Sequence, residues 1–287
     1  MQAHFEHCAA LVREADRDRY IATLFAQAAA RDALMALFAF NVEISRVRDV
    51  AREPMPGEIR LQWWREVLSG ERDGEAASHP VAAALMASLK QYAIAPEQLA
   101  AIVDAHTFDL YDEPMPTLDD LDNYAVMTQS ALLDIAASIL GGGGFEVMML
   151  IRQAGIAMTV TGVLTGLARH AARRQLFVPL EVLDRHGADR EDLFAGKVTA
   201  PVKNALAELR RHARRQLTAA EMEMNGAPQA VIAPILPALL PLALVGPTLR
   251  PMERRGYEPL DVPPLSGLRR QWLLWRAARD PRRIFGA

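Results

Sequence analysis

Four histidines with polar neighbours are the first residues to test for metal chemistry: His106, His170, His186 and His212. A zinc site on a helix needs ligands that share one face, typically one turn apart. Among these histidines, His106 has acids nearby, Asp109 and Asp112, but positions i+3 and i+6 cannot both face it on a straight helix. The pattern therefore predicts no zinc site, and Cys8, the one cysteine of the chain, excludes a thiolate cluster.

Glu43 is an acid on an otherwise apolar segment, FNVEIS, so its carboxylate needs an explanation. Arg46 follows three residues later and Arg48 five residues later. An ion pair one helical turn along is the commoner role for such an acid, and the pattern predicts it here. The alternative is that Glu43 helps to bind a ligand.

A basic run, RRHARR, occupies residues 210–215. It either contacts anionic lipid headgroups or an acidic partner, or it forms a solvated helix face beside Glu208 and Glu221. Runs of charge usually take the second role, which is the one predicted.

Composition narrows the class of protein. The chain of 287 residues is 51% hydrophobic and 23% charged, with a net charge of −3 that argues against general nucleic-acid binding. No linker or low-complexity stretch divides it, so we expect a single domain over residues 1–287. The first twenty residues carry acids and no apolar core, so they do not form a signal peptide, and a single cysteine is typical of a reducing compartment such as the cytoplasm.

The most apolar stretch covers residues 230–245. It is shorter than the roughly 18–20 residues needed to cross a bilayer. Pro234, Pro237 and Pro241 interrupt it. We therefore predict a kinked, buried helix and no transmembrane helix.

Helical periodicity positions all of these residues, and no alternating pattern typical of strands occurs. The fold class predicted is all-α. Thr117 and Asp120 form an acidic variant of a capping box at the start of a helix that ends at the glycines 141–144. The other predicted helices cover residues 20–50, 57–69, 81–93, 96–111, 145–172, 179–187, 201–223, 230–247 and 266–279.

Three segments resemble the squalene/phytoene synthase family, all-α enzymes that join two prenyl diphosphates head to head. They are DRDRYIATLFA with the following residues to 68, YAVMTQSALLDIAASILG at 124–141, and residues 155–187. The resemblance implies an isoprenoid-synthase-like helical bundle around a central cavity.

The same resemblance implies two aspartate-rich motifs that hold Mg²⁺ against the diphosphate, because this hard cation prefers oxygen ligands and neutralises the leaving group. The first motif falls on residues 45–49, where Ser45 stands at an aspartate position and Asp49 alone keeps a carboxylate. The second falls on residues 166–170, where Gly166 and His170 occupy the aspartate positions. The motifs are thus degenerate, which predicts no catalytic residue and no metal; Mg²⁺ is expected only if the chain is catalytic.

Two runs resemble one branch of this family, regarded as non-catalytic, whose mitochondrial member assists respiratory complex I assembly: Thr128-Gln129-Ser130 with the leucines after it, and residues 172–179 with His186-Gly187. This branch implies a role in the biogenesis of NADH:quinone oxidoreductase, with its subunits or assembly factors as partners. A location in the cytoplasm or peripherally at the inner membrane would follow.

Two other functions stay open. Arginines at the former motifs suit direct binding of a prenyl diphosphate or an anionic lipid, because guanidinium groups match phosphate oxygens. An active prenyltransferase with an altered site is the alternative. The candidate ligand-binding residues are Glu43, Arg46, Asp49, Tyr124, Arg169 and His170. Tyr124 matches a family tyrosine that lines the cavity, although the role predicted for it here is structural, as an aromatic residue at a helix start whose hydroxyl bonds a neighbour.

Overall fold

The computed structural model of the chain describes residues 1–50, 53–254 and 256–286. Helices of the α, 3-10 and π types make up its regular structure, and no strand occurs among these residues. This confirms the all-α prediction. The α-helices in chain order are α1 Gln2–Ala15, α2 Arg17–Thr23, α3 Ala28–Ser45, α4 Val47–Val50, α5 Pro54–Ser69, α6 Asp73–Ser78, α7 Pro80–Tyr92, α8 Pro96–Ala105, α9 Leu118–Ala125, α10 Ala131–Ile139, α11 Phe145–Thr165, α12 Leu167–Ala172, α13 Leu180–Arg185, α14 Arg190–Phe194, α15 Ala200–Gly226, α16 Gln229–Leu239, α17 Val245–Leu249 and α18 Gly267–Arg279.

Shorter helical turns fill several connections. The π-helix covers Val126–Ser130, between α9 and α10. The 3-10 helices cover His106–Leu110, Leu240–Leu244, Arg250–Glu253 and Pro281–Ile284.

The residues group into two compact units. Unit 1 contains residues 1–111, 131–148 and 227–241, and unit 2 contains residues 112–130, 149–226 and 242–287. The single domain expected over 1–287 stays a prediction, and its last residue lies outside the described part of the chain.

The core of unit 1 forms where α1, α3 and α7 pack together and α5 packs on α8. Trp64 is fully buried, and its ring meets Phe40 edge to face at 5.0 Å between centroids. Removing such large apolar side chains from water is the main stabilising term for a bundle of this kind.

In unit 2 the long helix α15 packs against α13 and α17. The capping box predicted at the start of α9 is present, with Asp120 N donating to Thr117 Oγ1 at 3.0 Å and Thr117 N donating to Asp120 Oδ2 at 3.1 Å. Thr117 and Asp120 thereby satisfy two backbone donors that a helix start leaves unpaired.

Several predicted helices are interrupted in the structure. The segment 20–50 is divided among α2, α3 and α4, because Gln27 is extended (ψ 141°) and Arg46 leaves helical geometry (φ −98°, ψ 5°). The segment 145–172 breaks at Gly166, which separates α11 from α12. The spacing of apolar residues continues across these breaks. The sequence pattern therefore predicted one long helix where the structure has several.

Two helices are long and apolar enough to cross a membrane by length and composition alone: Phe145–Thr165 and Gln229–Glu253. The second is longer than the sequence pattern predicted, because its 25 residues stay helical through the proline-containing turns. Its most apolar window is 72% buried, and that of Phe145–Thr165 is 61% buried, as in core helices. These helices are therefore weak evidence for membrane insertion, and the predicted burial of residues 230–245 agrees with the structure.

Candidate functional site

The first degenerate motif lies where α3 ends and α4 begins, in unit 1. Val47 is buried and anchors this turn, whereas Ser45, Arg46 and Asp49 are exposed. The hydroxyl of Ser45 donates a local hydrogen bond to the carbonyl of Val42 at 3.5 Å. The turn thus presents one carboxylate and one exposed guanidinium.

Glu43 lies one turn earlier on α3 and is mostly buried, with 13% of its side chain exposed. Its carboxylate forms an ion pair with Arg60 Nη2 of α5 at 3.6 Å and lies 3.7 Å from Nε2 of His79, at the start of α7. The sequence pattern predicted Arg46 or Arg48 as the partner and did not single out His79. Glu43 therefore ties three helices of unit 1 together.

His79 also has a local structural role. Its Nδ1 accepts a hydrogen bond from the backbone N–H of Ala82 at 3.3 Å, so the imidazole caps α7. The ring packs against Trp63 and Trp64, with centroids 4.9 and 5.9 Å away. His79 thus joins a helix cap and an aromatic cluster, with its Nε2 facing the Glu43 carboxylate.

Cys8 of α1 is fully buried near this cluster. Burial, together with the negative charge of Glu43, raises the pKa of the Cys8 thiol to about 12. The thiol is therefore neutral at physiological pH and is neither a metal ligand nor a nucleophile.

The second degenerate motif lies at the junction of α11 and α12, in unit 2. Gly162 is exposed, with open space where a side chain would project. Gly166 is covered by the ring of His170, since a Cβ on Gly166 would lie 2.6 Å from His170 Cε1. Arg169 beside them is exposed. A histidine ring thus occupies the space next to the former aspartate position.

Tyr124 and His170 are brought together by Phe177. The Phe177 ring lies 4.9 Å from the His170 ring and 5.9 Å from the Tyr124 ring, measured between centroids. The cavity beside His170 and Phe177 measures about 10 Å³, roughly the volume at which one water can be held. The contact of the Tyr124 ring is with Phe177, and the hydrogen bond predicted for the Tyr124 hydroxyl stays a prediction.

The donor set at these positions does not fit Mg²⁺. Ser45, Gly166 and His170 supply no carboxylate, and Asp49 alone cannot complete a shell of six oxygens. Among the described residues, no group of three or more His, Cys, Asp or Glu side chains could hold a metal ion. His106 illustrates this, because its Nδ1 meets Asp109 Oδ2 at 2.6 Å in an ordinary hydrogen bond.

The candidate ligand-binding residues fall into both units. Glu43, Arg46 and Asp49 belong to unit 1. Tyr124, Arg169 and His170 belong to unit 2. Within unit 2 the structure joins Tyr124 to His170 through Phe177, and the binding role of all six residues stays a prediction.

The run Thr128-Gln129-Ser130 forms most of the π-helix. Thr128 Oγ1 donates to Tyr124 O at 2.6 Å, and Ser130 Oγ donates to Arg152 O of α11 at 3.2 Å. Gly155 of α11 permits this contact, since a Cβ there would lie 2.7 Å from Ser130 N. The sequence pattern predicted a regular helix over residues 126–130. Gly155, which faces Ser130, was the residue that could have indicated this close approach of the two backbones.

The run at residues 172–179 reverses the chain after α12. Arg174 has a positive φ of 55° and pairs with Glu191 at 3.0 Å. Leu176 O then accepts from Met115 N at 2.9 Å, which holds the segment in place. Both runs that carry the resemblance therefore have packing roles.

Most of the basic run at 210–215 is engaged within unit 2. Arg214 Nε donates to Glu253 at 2.8 Å. Arg215 reaches His212 Nδ1 at 3.3 Å, and the other nitrogen of His212 meets Asp122 at 2.8 Å. These contacts favour the structural role over lipid or partner binding.

A groove of about 490 Å³ in unit 1 was not predicted. Its arginines are paired with neighbours: Arg65 with Asp104 at 2.5 Å, and Arg72 with Glu66 and Glu75. Because these charges already satisfy one another, the groove has no evident ligand.

The chain is similar in sequence to known proteins of one family. Residues 12–276 match the sequence profile described as squalene/phytoene synthase. Over 211 residues the chain is 28% identical to human NADH dehydrogenase (ubiquinone) complex I, assembly factor 6, a match that covers 74% of this chain and 63% of the human protein.

Synthases of the same family are also similar. Presqualene diphosphate synthase of Rhodopseudomonas palustris is 26% identical over 203 residues, 70% of this chain and 72% of that enzyme. The crystal structure of squalene synthase from Alicyclobacillus acidocaldarius superposes with a TM-score of 0.71 at 20% identity, covering 87% of this chain and 94% of that one. With a profile match over most of its length and the same helical fold, this chain belongs to the squalene/phytoene synthase family.

Proposed function

We propose that this chain is a non-catalytic member of the family that acts in the assembly of respiratory complex I. The observation that carries the proposal is the loss of carboxylates at Ser45, Gly166 and His170 in a chain similar to complex I assembly factor 6. Ionising an allylic diphosphate without a metal leaves the developing negative charge without its usual counter-ion. The fold is retained, and the means of catalysis is not.

Electrostatics at the former motifs work against Mg²⁺. Arg46 and Arg48 flank the lone Asp49, and Arg169 stands beside His170. Two unit charges at about 4 Å interact by roughly 4 kcal/mol near a protein surface, and the sign is repulsive between arginine and Mg²⁺. A divalent cation is therefore disfavoured beyond the loss of its ligands.

The two runs that resemble the assembly-factor branch make contacts within the protein. The π-helix packs Ser130 against α11, and Phe177 packs against Tyr124 and His170. Because these runs are used for packing inside the protein, we expect the outer surface of the fold to be the part that contacts other proteins. Those partners would be complex I subunits or other assembly factors, met in the cytoplasm or at the inner face of the membrane.

Deletion of the gene in the organism that encodes this chain tests the proposal. We expect membranes of the deletion strain to lose assembled complex I on native gels, together with NADH:quinone oxidoreductase activity. The wild-type gene should restore both, and so should Asp49→Asn, which removes the last motif carboxylate. Normal complex I in the deletion strain, or a folded Asp49→Asn variant that fails to rescue, would contradict the proposal.

A second candidate function is direct binding of a prenyl diphosphate or anionic lipid headgroup. It is favoured by the exposed guanidinium groups of Arg46 and Arg169 at the former metal motifs. Thermal unfolding with farnesyl diphosphate, with and without Mg²⁺, tests it. A metal-independent rise in the midpoint that Arg46→Gln or Arg169→Gln removes is the expected result, and no rise with farnesyl diphosphate or anionic lipid rejects the function.

A further inference from the structure

Helix α18 has apolar residues on two opposite faces. Leu273, Leu274 and Ala277 are buried against the protein. On the other face Leu268, Trp272 and Trp275 are 82%, 52% and 43% exposed. These three follow the i, i+4, i+7 spacing that aligns side chains along one stripe of a helix. Buried packing therefore does not account for the tryptophans.

Each exposed tryptophan carries a guanidinium group on its ring. Arg276 Cζ lies 4.6 Å from the centroid of the Trp272 ring, and Arg279 Cζ lies 4.1 Å from that of Trp275. A cation over an aromatic face is held there by the ring's negative quadrupole. The stripe thus combines flat apolar rings with positive charges held over their faces.

The charge of the segment is strongly positive although the whole chain has a net charge of −3. Residues 266–286 contain one acid, Asp280, which pairs with Arg282 at 3.0 Å and with Arg283 at 3.3 Å. The arginines of the segment are Arg269, Arg270, Arg276, Arg279, Arg282 and Arg283. The single carboxylate of Asp280 offsets only part of the charge of Arg282 and Arg283, so the segment as a whole stays strongly positive.

We propose that this face of α18, the stripe of Leu268, Trp272, Trp275 and Arg279 with its flanking arginines, binds to the surface of a membrane that contains anionic phospholipids. Tryptophan prefers the headgroup level of a bilayer, because its ring is apolar and its N–H is polar. Arginines beside it meet lipid phosphates. The stripe is about 17 Å long at 1.5 Å per residue, so the helix would lie flat in the interface.

A second copy of the chain fits this face less well. Pairing two such faces would oppose six arginines with six arginines, which like-charge repulsion disfavours. A sheet of lipid phosphates instead supplies negative charge along the full stripe. The inference is independent of the proposed function, because membrane binding and complex I assembly have separate readouts.

Sedimentation with vesicles tests the inference on the full chain. We expect binding to vesicles of phosphatidylcholine and phosphatidylglycerol that exceeds binding to phosphatidylcholine alone by about tenfold or more, and that falls as salt is added. Trp272→Ser/Trp275→Ser should weaken binding by about tenfold or more. Met55→Ser/Ile59→Ser, which removes side chains that are 69% and 65% exposed on α5, is the matched control and should bind as the wild type does.

Fluorescence gives a second readout. Vesicles should shift the wild-type tryptophan emission to shorter wavelength, and Trp272→Phe/Trp275→Phe should keep binding while losing this shift, because Trp63 and Trp64 lie elsewhere in the chain. The proposal is overturned if the wild type does not bind anionic vesicles or if the serine double variant binds equally well. It is also overturned if size-exclusion chromatography shows a dimer that the serine double variant dissociates.

Discussion

The imidazole of His170 covers Gly166: a Cβ on this glycine would lie 2.6 Å from Cε1 and 2.9 Å from Nε2 of His170. The residues that replace the two aspartates of the second motif are therefore coupled by sterics. A side chain returns to position 166 only if the imidazole at position 170 moves away. The metal site is therefore prevented by the residue types at these positions and also by the packing of His170 over Gly166.

This coupling predicts a double-mutant cycle. Gly166→Ala should lower the free energy of unfolding by about 1 kcal/mol, because the added methyl group crowds the imidazole. In a His170→Ala background the same change should cost less, because the imidazole no longer crowds the methyl group and only the carbonyl oxygen of Gly162, 3.0 Å away, remains close. Urea denaturation measures all four proteins, and equal effects in the two backgrounds would show that the residues are not coupled.

The contact between Gly155 and the π-helix predicts a larger effect. A Cβ at Gly155 would lie 2.7 Å from the backbone nitrogen and 2.8 Å from the Cα of Ser130, and backbone atoms cannot rotate away. Gly155→Ala should therefore cost about 2–3 kcal/mol of unfolding free energy. Gly162→Ala on the same helix has open space around it and should be neutral or stabilising by up to about 1 kcal/mol in the same denaturation assay. Equal stability of the two variants would refute the close approach.

His79 is predicted to stabilise unit 1 through its cap and its ring contacts. His79→Ala should lower the free energy of unfolding by about 2 kcal/mol, since a lost cap costs about 1 kcal/mol and ring packing adds a similar amount. His79→Asn keeps a side-chain acceptor for Ala82 N and should recover about half of the loss. Chemical denaturation distinguishes these values, and an asparagine variant no more stable than the alanine variant would exclude capping.

Glu208 predicts a pH-dependent stability. Burial raises the pKa of this carboxyl, but the hydrogen bond from His186 and the charge of Arg185 outweigh it and hold the pKa below its usual value of 4.5. A lowered folded-state pKa contributes stability above the unfolded-state pKa, and this contribution is lost as the pH falls through the folded-state pKa. Glu208→Gln should therefore cost about 1 kcal/mol near neutral pH and nothing once the pH is well below the folded-state pKa of Glu208.

Urea denaturation of Glu208→Gln across this pH range is the measurement, with Glu223→Gln as the control. Glu223 is an exposed acid on the same helix, so its neutralisation should have little effect at any pH. A loss of stability in Glu208→Gln that does not shrink toward acid pH would contradict the assigned ion pairs.

Local signals predicted much of the fold. The capping box at Thr117 and Asp120, the prolines that open α7 and α8, and the periodicity of α15 each depend on neighbouring residues, so they can be read from the sequence. The π-helix at Val126–Ser130 depends on a contact with α11, elsewhere in the chain, and the break at Gly166 interrupts a segment whose apolar periodicity continues on both sides. Apolar periodicity does not carry that information.

In the candidate site, too, some features could be predicted from the sequence and others only from the structure. The absence of carboxylates at Ser45, Gly166 and His170 is a property of residue type and needs no structure. The pairing of Glu43 with Arg60 and His79 joins residues 17 and 36 positions apart, so helix spacing could not predict it. The exposure of the tryptophans of α18 is a property of tertiary packing, which helix spacing alone does not predict.

The most direct test of the central claim is release of diphosphate from farnesyl or geranylgeranyl diphosphate in the presence of Mg²⁺. With the ligands for the metal replaced by serine, glycine and histidine, we expect no release above a protein-free blank at any Mg²⁺ concentration. Mg²⁺-dependent turnover that saturates with substrate and is lost in Asp49→Asn would contradict the claim and establish the chain as an active prenyltransferase.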